Sequence, residues 1–275
     1  MNWSQRDFVR DGVKLHYWQK GADAPIVLLH GITDSGACWG RTADALAENF
    51  TVLALDQRGH GKSDAPLEGY SFDEYVADAL ALLRVNGFSK AIVMGHSFGA
   101  VVALNLAAQH PQAVTQLILE DPPLFDFALA EADSILDQRR FESFEWLRAL
   151  KPLSESELVA HCRAQSPRWS EEECIAWAQS KLQASPRLWE KGGMPIVSAW
   201  RAWLATVACS TLLVYGDAAL GSLINQARAD EVVAMLHQGQ AVKIPNAGHS
   251  IHRDEYAAFM QALNQFLFTH VTHPR

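Results

Sequence analysis

The chain holds 275 residues, 49% of them hydrophobic and only 20% charged, with Lys+Arg at 23 against Asp+Glu at 31. That much apolar side chain excludes a disordered polymer, because burying it offsets the entropy of ordering the chain. A formal net charge of −8 excludes a broad nucleic-acid surface.

No apolar run reaches the ~18 residues of a membrane span, and Met1–Asp11 lacks the apolar stretch of a secretory signal, so a cytoplasmic location is expected. Cys38, Cys162, Cys174 and Cys209 show neither CxxC pairing nor disulfide-scaffold density, and the His and Cys residues lack tight ligand spacing. No metal and no cofactor is expected.

In chain order, Ile26–Leu29, Val52–Leu55, Ala91–Met94, Leu117–Leu119, Leu212–Tyr215 and Ala241–Ile244 are short apolar runs. Continuous rather than alternating apolarity predicts strands buried on both faces. Between them, Ser71–Asn86 reads as a helix, with Ser71 and Glu74 in capping-box spacing and Gly87 as its stop. Phe98–Gln109 is a small-residue apolar helix ending before Pro111, and Arg253–Phe268 is a closing amphipathic helix. Strands alternating with helices predict an α/β fold with a doubly wound, mostly parallel sheet.

The alternation breaks between Pro122 and Ala208. That stretch has no convincing strand, turn marks at Pro152, Pro167, Pro186 and Gly192-Gly193, and six of the nine Trp. Residues 1–121 with 209–275 are expected to form the core, and 122–208 a helical insertion resting on the sheet edge where ligands bind. Its aromatic residues, Phe125, Phe127, Phe141 and Phe144 with the six Trp, either line an apolar pocket or pack helix on sheet.

Gly95-His96-Ser97-Phe98-Gly99 follows one predicted strand and opens a predicted helix. GxSxG in that context is a nucleophile elbow, a strained turn that lifts the serine hydroxyl above the sheet. A serine needs a base. His249, in Asn246-Ala247-Gly248-His249 after the last strand, lies on the same sheet edge as the elbow; His252 is its weaker neighbour, and His96 packs beneath the turn. An acid must orient the imidazole, and Asp217 and Asp121 each follow a strand and compete for that place.

Together with His30-Gly31 and Asp56-Gln57-Arg58-Gly59-His60-Gly61-Lys62-Ser63, these motifs make the chain resemble an α/β-hydrolase-fold serine hydrolase over nearly its whole length. The resemblance implies an oxyanion hole from the Ile32 and Phe98 N–H groups, a structural role for Asp56–Ser63, and a cap over 122–208. It also implies an acid three residues beyond Gly216, where Ala219 stands, whereas dehalogenase-like members place it where Asp121 stands. Asp217 is preferred by a narrow margin.

The expected reaction is hydrolysis of a small to medium hydrophobic ester or lactone through an acyl-enzyme. The resemblance implies an aspartate at the elbow for epoxide hydrolases and haloalkane dehalogenases, so Ser97 argues against those activities. Alternatives are a C–C bond hydrolase of diketone-type substrates and a ligand-binding receptor on a hydrolase scaffold.

Overall fold

The computed structural model describes residues 3–125, 145–190 and 199–268. Eight strands form one sheet: β1 (Ser4–Arg10), β2 (Val13–Lys20), β3 (Pro25–Leu29), β4 (Thr51–Leu55), β5 (Ala91–His96), β6 (Val114–Glu120), β7 (Ser210–Tyr215) and β8 (Gly239–Lys243). Their spatial order is β1-β2-β4-β3-β5-β6-β7-β8, and every pair from β4 to β8 is parallel. Five of the six apolar runs picked out above lie wholly within strands, and the sixth, Ala241–Ile244, runs one residue past the end of β8.

The sheet has two more strands than those runs. β1 and β2 form an antiparallel hairpin that adds β2 to β4 at the edge. Its turn, Asp11-Gly12, has φ of 49° and 79°, the paired left-handed geometry that Asp-Gly hairpins favour.

Alternate strand residues feed two cores. Val27, Leu29, Leu53, Leu55, Val93, Leu117, Leu119 and Leu213 face α2 (Phe72–Val85) and α3 (Phe98–Gln109). Ile26, Leu28, Val52, Ala54, Ile92, Met94, Ile118 and Leu212 face α1 (Gly40–Leu46) and the C-terminal helix. Each central strand is therefore wet on neither face, which is why its apolarity is continuous.

Ser71 caps α2 by accepting the Glu74 N–H at 3.4 Å. The reciprocal half of the predicted box is missing, because the Glu74 carboxylate turns to Arg10 and Arg58. The expected single helix Arg253–Phe268 is two. A short helix, Ile251–Asp254, breaks at Glu255 (φ −136°) before Tyr256–Phe268 begins. The first turn sends His252 and Arg253 inward to Glu120 and Asp34, while Phe259, Leu263 and Phe266 face the sheet. One straight helix cannot present both faces.

Between β6 and β7 the described residues contain helices and no strand: α4 (Glu155–Gln165), α5 (Glu171–Gln183), α6 (Arg187–Glu190) and α7 (Trp200–Leu204). Ser154 with Glu157 and Ser170 with Glu173 form complete capping boxes at α4 and α5. Leu150, Leu158, Cys162, Cys174, Trp177 and Ala178 form a small core of their own.

Packing accounts for several of the Trp residues. Trp200 is buried and donates to the Phe125 carbonyl at 3.2 Å, Trp203 meets Phe72 edge-on, and Trp146 meets Trp177. Phe127, Phe141, Phe144, Gly192-Gly193 and the Trp189 side chain lie outside the described residues. Beyond the segment, α8 (Gln226–Met235) crosses from β7 to β8, and the two C-terminal helices are α9 (Ile251–Asp254) and α10 (Tyr256–Phe268). No helix among the described residues is long and apolar enough to cross a membrane.

Candidate active site

Strand β5 ends in a turn that only small residues permit. A Cβ on Gly95 would lie 2.2 Å from the Gly99 carbonyl oxygen, and one on Gly99 would lie 2.1 Å from that of Leu29. Ser97 between them sits at φ 52°, ψ −118°, a strained backbone for a residue with a side chain. Its N–H donates to the Glu120 carbonyl at 2.8 Å, which ties the elbow to the end of β6. The Ser97 hydroxyl caps no helix N–H, although α3 begins at the next residue.

His249 reaches this edge from the loop after β8. His96, the elbow residue before Ser97, donates from Nε2 to the His249 carbonyl at 2.9 Å, and the two rings lie 4.7 Å apart. Burial pushes the His96 imidazole down to about 3, so the ring is neutral and lies under the turn.

The His249 ring bonds Asp121 through Nδ1 to Oδ2 at 2.6 Å. Asp121 is wholly buried at φ 43° and accepts from Ser222 Oγ at 2.7 Å and from the N–H groups of Leu223 and Ile224 at 2.8 and 3.1 Å. These donors fix the carboxylate in place and leave Oδ2 turned to the imidazole. A carboxylate oxygen accepts, so His249 Nδ1 donates to it and Nε2 keeps its lone pair.

The geometry does not support the narrow preference for Asp217. Asp217 pairs with Lys243 at 2.5 Å and accepts the Asn246 N–H at 2.7 Å. Those bonds hold its carboxyl below the usual range. Its own N–H donates to the Ala247 carbonyl at 2.7 Å, so Asp217 braces the backbone of the loop that carries His249.

His252 is buried, with Nδ1 2.8 Å and 2.9 Å from the two Glu120 oxygens and its N–H also on Glu120. Burial, then the Arg253 charge, pushes its imidazole down to about 3, and burial pushes Glu120 up to about 7. His252 is a backing residue, and Glu120 is a site neighbour that sequence reasoning missed; its only signal was its place beside Asp121 at the end of an apolar strand.

The loop after β3 closes the other side. A Cβ on Gly31 would lie 3.6 Å from Ser97 Cβ. The Gly31 carbonyl accepts from His30 Nδ1 at 2.8 Å and from the Asp34 N–H at 3.0 Å. His30 Nε2 in turn accepts the Gln57 N–H at 3.0 Å, and burial lowers the ring to about 3, which fixes its neutral tautomer. Because a peptide is planar and trans, pinning the Gly31 oxygen also aims the Ile32 N–H. The Ile32 carbonyl is held by the His60 ring.

Within Asp56–Ser63, the Asp56 and Arg58 side chains are committed to the fold. Asp56 accepts the Gly36 and Lys62 N–H groups at 2.7 and 2.9 Å, and Arg58 is buried on Asp78. Among the described residues no group of three His, Cys, Asp or Glu is placed to hold a metal ion. A cleft of about 370 Å³ borders His249, lined on its polar side by Gln165, Ser166, Arg168, Ser250 and Asp254.

The family model of the alpha/beta hydrolase fold matches residues 24–256. The 2-(acetamidomethylene)succinate hydrolase of Mesorhizobium japonicum is 36% identical over 109 residues, 40% of this chain and 39% of that protein. A soluble epoxide hydrolase of Corynebacterium sp. is 37% identical over 111 residues, again 40% of this chain and 39% of that one. The match thus spans about two-fifths of the length of these two curated relatives.

Among solved structures, E-2-(acetamidomethylene)succinate hydrolase superposes with a TM-score of 0.80 at 24% identity, covering 97% of this chain and 99% of that one. The esterase RhEst1 of Rhodococcus sp. superposes with 0.75 at 24%, covering 97% and 98%. At that identity the structures speak for fold alone. With sheet order, elbow and a match over most of its length in agreement, the chain belongs to the α/β-hydrolase-fold family.

Proposed function

We propose that this protein is a serine hydrolase of carboxylic esters or lactones, acting through Ser97, His249 and Asp121. The observation that supports it most directly is the 2.6 Å bond from His249 Nδ1 to buried Asp121, in a loop whose His249 carbonyl is bonded by His96 of the elbow. His249 Nε2 takes the Ser97 proton as the hydroxyl attacks the carbonyl carbon. The Ile32 and Phe98 N–H groups receive the oxyanion. His249 then protonates the leaving alcohol, and water repeats the cycle on the acyl-enzyme to release the acid.

The cleft beside His249 is lined by Gln165, Ser166 and Arg168, and Ser97 is not part of its lining. The proposed acyl group is the small to medium hydrophobic one that the sequence leads us to expect. Residues 122–208 would act as the cap over this site. Epoxide hydrolases are among the relatives, but a serine at position 97 favours acyl chemistry.

A second reading has its own support. The sequence likeness to 2-(acetamidomethylene)succinate hydrolase favours a small N-acyl amide, cleaved by the same steps with an amine leaving. C–C bond hydrolysis would use the same residues.

A panel of esters, lactones, amides and diketones, run beside fluorophosphonate labelling, tests the proposal. Wild type should be labelled and turn over at least one class. Ser97→Ala should lose labelling and at least about 10⁴-fold in turnover. Labelling that persists in Ser97→Ala, or a wild type that neither labels nor turns over, refutes the serine mechanism, and the latter leaves a binding role.

A further inference from the structure

Lys181 lies on α5, in the segment between β6 and β7, yet it is 1% exposed. Its ammonium has three protons and three oxygen acceptors: the Thr33 carbonyl at 2.9 Å, Asp34 Oδ1 at 2.9 Å and Ser180 Oγ at 3.2 Å. The other Asp34 oxygen is held by Arg253 Nη2 at 2.7 Å. Arg253 is on α9, four residues after His249. One buried carboxylate therefore joins the loop after β3, the helical segment and the loop of the proposed base.

The bond to Thr33 reaches further. The Thr33 carbonyl and the Asp34 N–H belong to one peptide plane. Lys181 holds one end, and the other donates to the Gly31 carbonyl at 3.0 Å. The Gly31 carbonyl belongs to the plane whose N–H is that of Ile32. Two rigid peptide units thus connect a buried ammonium to the first oxyanion donor. Hydrogen bonds in such a chain polarise one another, so the cation aims the Ile32 N–H and also strengthens it as a donor.

We propose that Lys181 is a positioning residue that sets the oxyanion donor at Ile32 through the Thr33–Asp34 and Gly31–Ile32 peptides. The proposal rests on the serine-hydrolase reading above. It makes the helical segment a working part of the catalytic centre, beyond any part in choosing the substrate.

Lys181→Met keeps the aliphatic stem and leaves Asp34 paired with Arg253, so no lone buried ion results. Lys181→Gln keeps a donor for Thr33 without the charge. Active sites are counted by the fluorophosphonate endpoint, and kcat and KM are measured on the best ester of the panel per counted site. Affinity is measured for a boronic acid, whose tetrahedral adduct places an oxygen at the oxyanion position, and for the product carboxylic acid.

For Lys181→Met, kcat and boronate affinity should fall together by about 10- to 100-fold, with KM and product affinity within about threefold. Lys181→Gln should lie between the two proteins. A merely structural role would lower the count of active sites and leave boronate affinity per site unchanged. If Lys181→Met keeps kcat and boronate affinity within about threefold of wild type, the proposal is overturned. If it yields no folded protein, Lys181→Gln decides: a boronate affinity within twofold of wild type overturns the proposal, and a larger loss supports it. A wild type that does not label at Ser97 refutes the serine-hydrolase reading instead, so the two failures are separable.

Discussion

Asp121 and Asp217 close the carboxyl ends of neighbouring strands, and each serves the loop of His249 in a different way. Asp121 is shut away from solvent, receives a hydroxyl and two backbone N–H groups, and gives its remaining capacity to the imidazole ring. Asp217 faces solvent in part, pairs with Lys243 and holds the backbone at Asn246 and Ala247. The same side chain thus orients a ring in one loop and shapes a chain in the next. Burial and preorganised donors make the difference, because they hold a charge at a fixed point in a poorly screened place.

The pair can be broken experimentally. Asp121→Asn should lower turnover by about 10³- to 10⁴-fold, because the amide favours the wrong His249 tautomer, whereas Asp217→Asn should stay within about fivefold. Steady-state rates on one ester decide it. A severe loss in Asp217→Asn with near-full activity in Asp121→Asn would reverse the comparison.

Glu120, next to Asp121, sharpens it through stability. Its folded value of about 7 lies above the 4.5 of an ordinary glutamate, so the folded state holds this proton more tightly than the unfolded chain. Its contribution therefore falls as pH rises from about 4.5 to about 7 and stays low above that. In urea melts over that range, the difference between Glu120→Gln and wild type should change in favour of the variant as pH rises. A constant difference would mean that Glu120 is ionised throughout.

The smallest effect is expected at the surface. Lys243→Met removes an ion pair whose side chains are 47% and 27% exposed, so it should leave the melting midpoint nearly unchanged. A larger drop in the melting midpoint would show that Asp217 braces its loop through that pair.

Much of the fold was legible, for reasons particular to its elements. The central strands are apolar on both faces, so each run announced itself. The β1–β2 hairpin escaped because Ser4–Arg10 carries charge at a sheet edge, although Asp11-Gly12 was there to mark its turn. The elbow and His249 followed from local motifs. The choice between Asp121 and Asp217 did not, because it depends on how Ser222–Ile224 folds back onto β6, across about 100 residues of chain. Lys181 was silent for the same reason: in Glu171–Gln183 it reads as one more polar helix residue until Asp34 and Thr33 arrive from the other side of the molecule.

The connection from β6 to β7 has a consequence for exchange between relatives. Residues 121–209 join two strands that pair side by side, where a crossover of ~25 residues would suffice, and the added chain costs only about 1 kcal/mol in closure entropy. Chain statistics therefore do little to oppose transplanting this segment from one hydrolase to another. Under the Lys181 proposal the obstacle is chemical: a graft lacking a cation at that position would leave the Thr33 carbonyl without its donor. Chimeras that fold well and turn over poorly would be the result, and restoring one lysine would be the repair to attempt first.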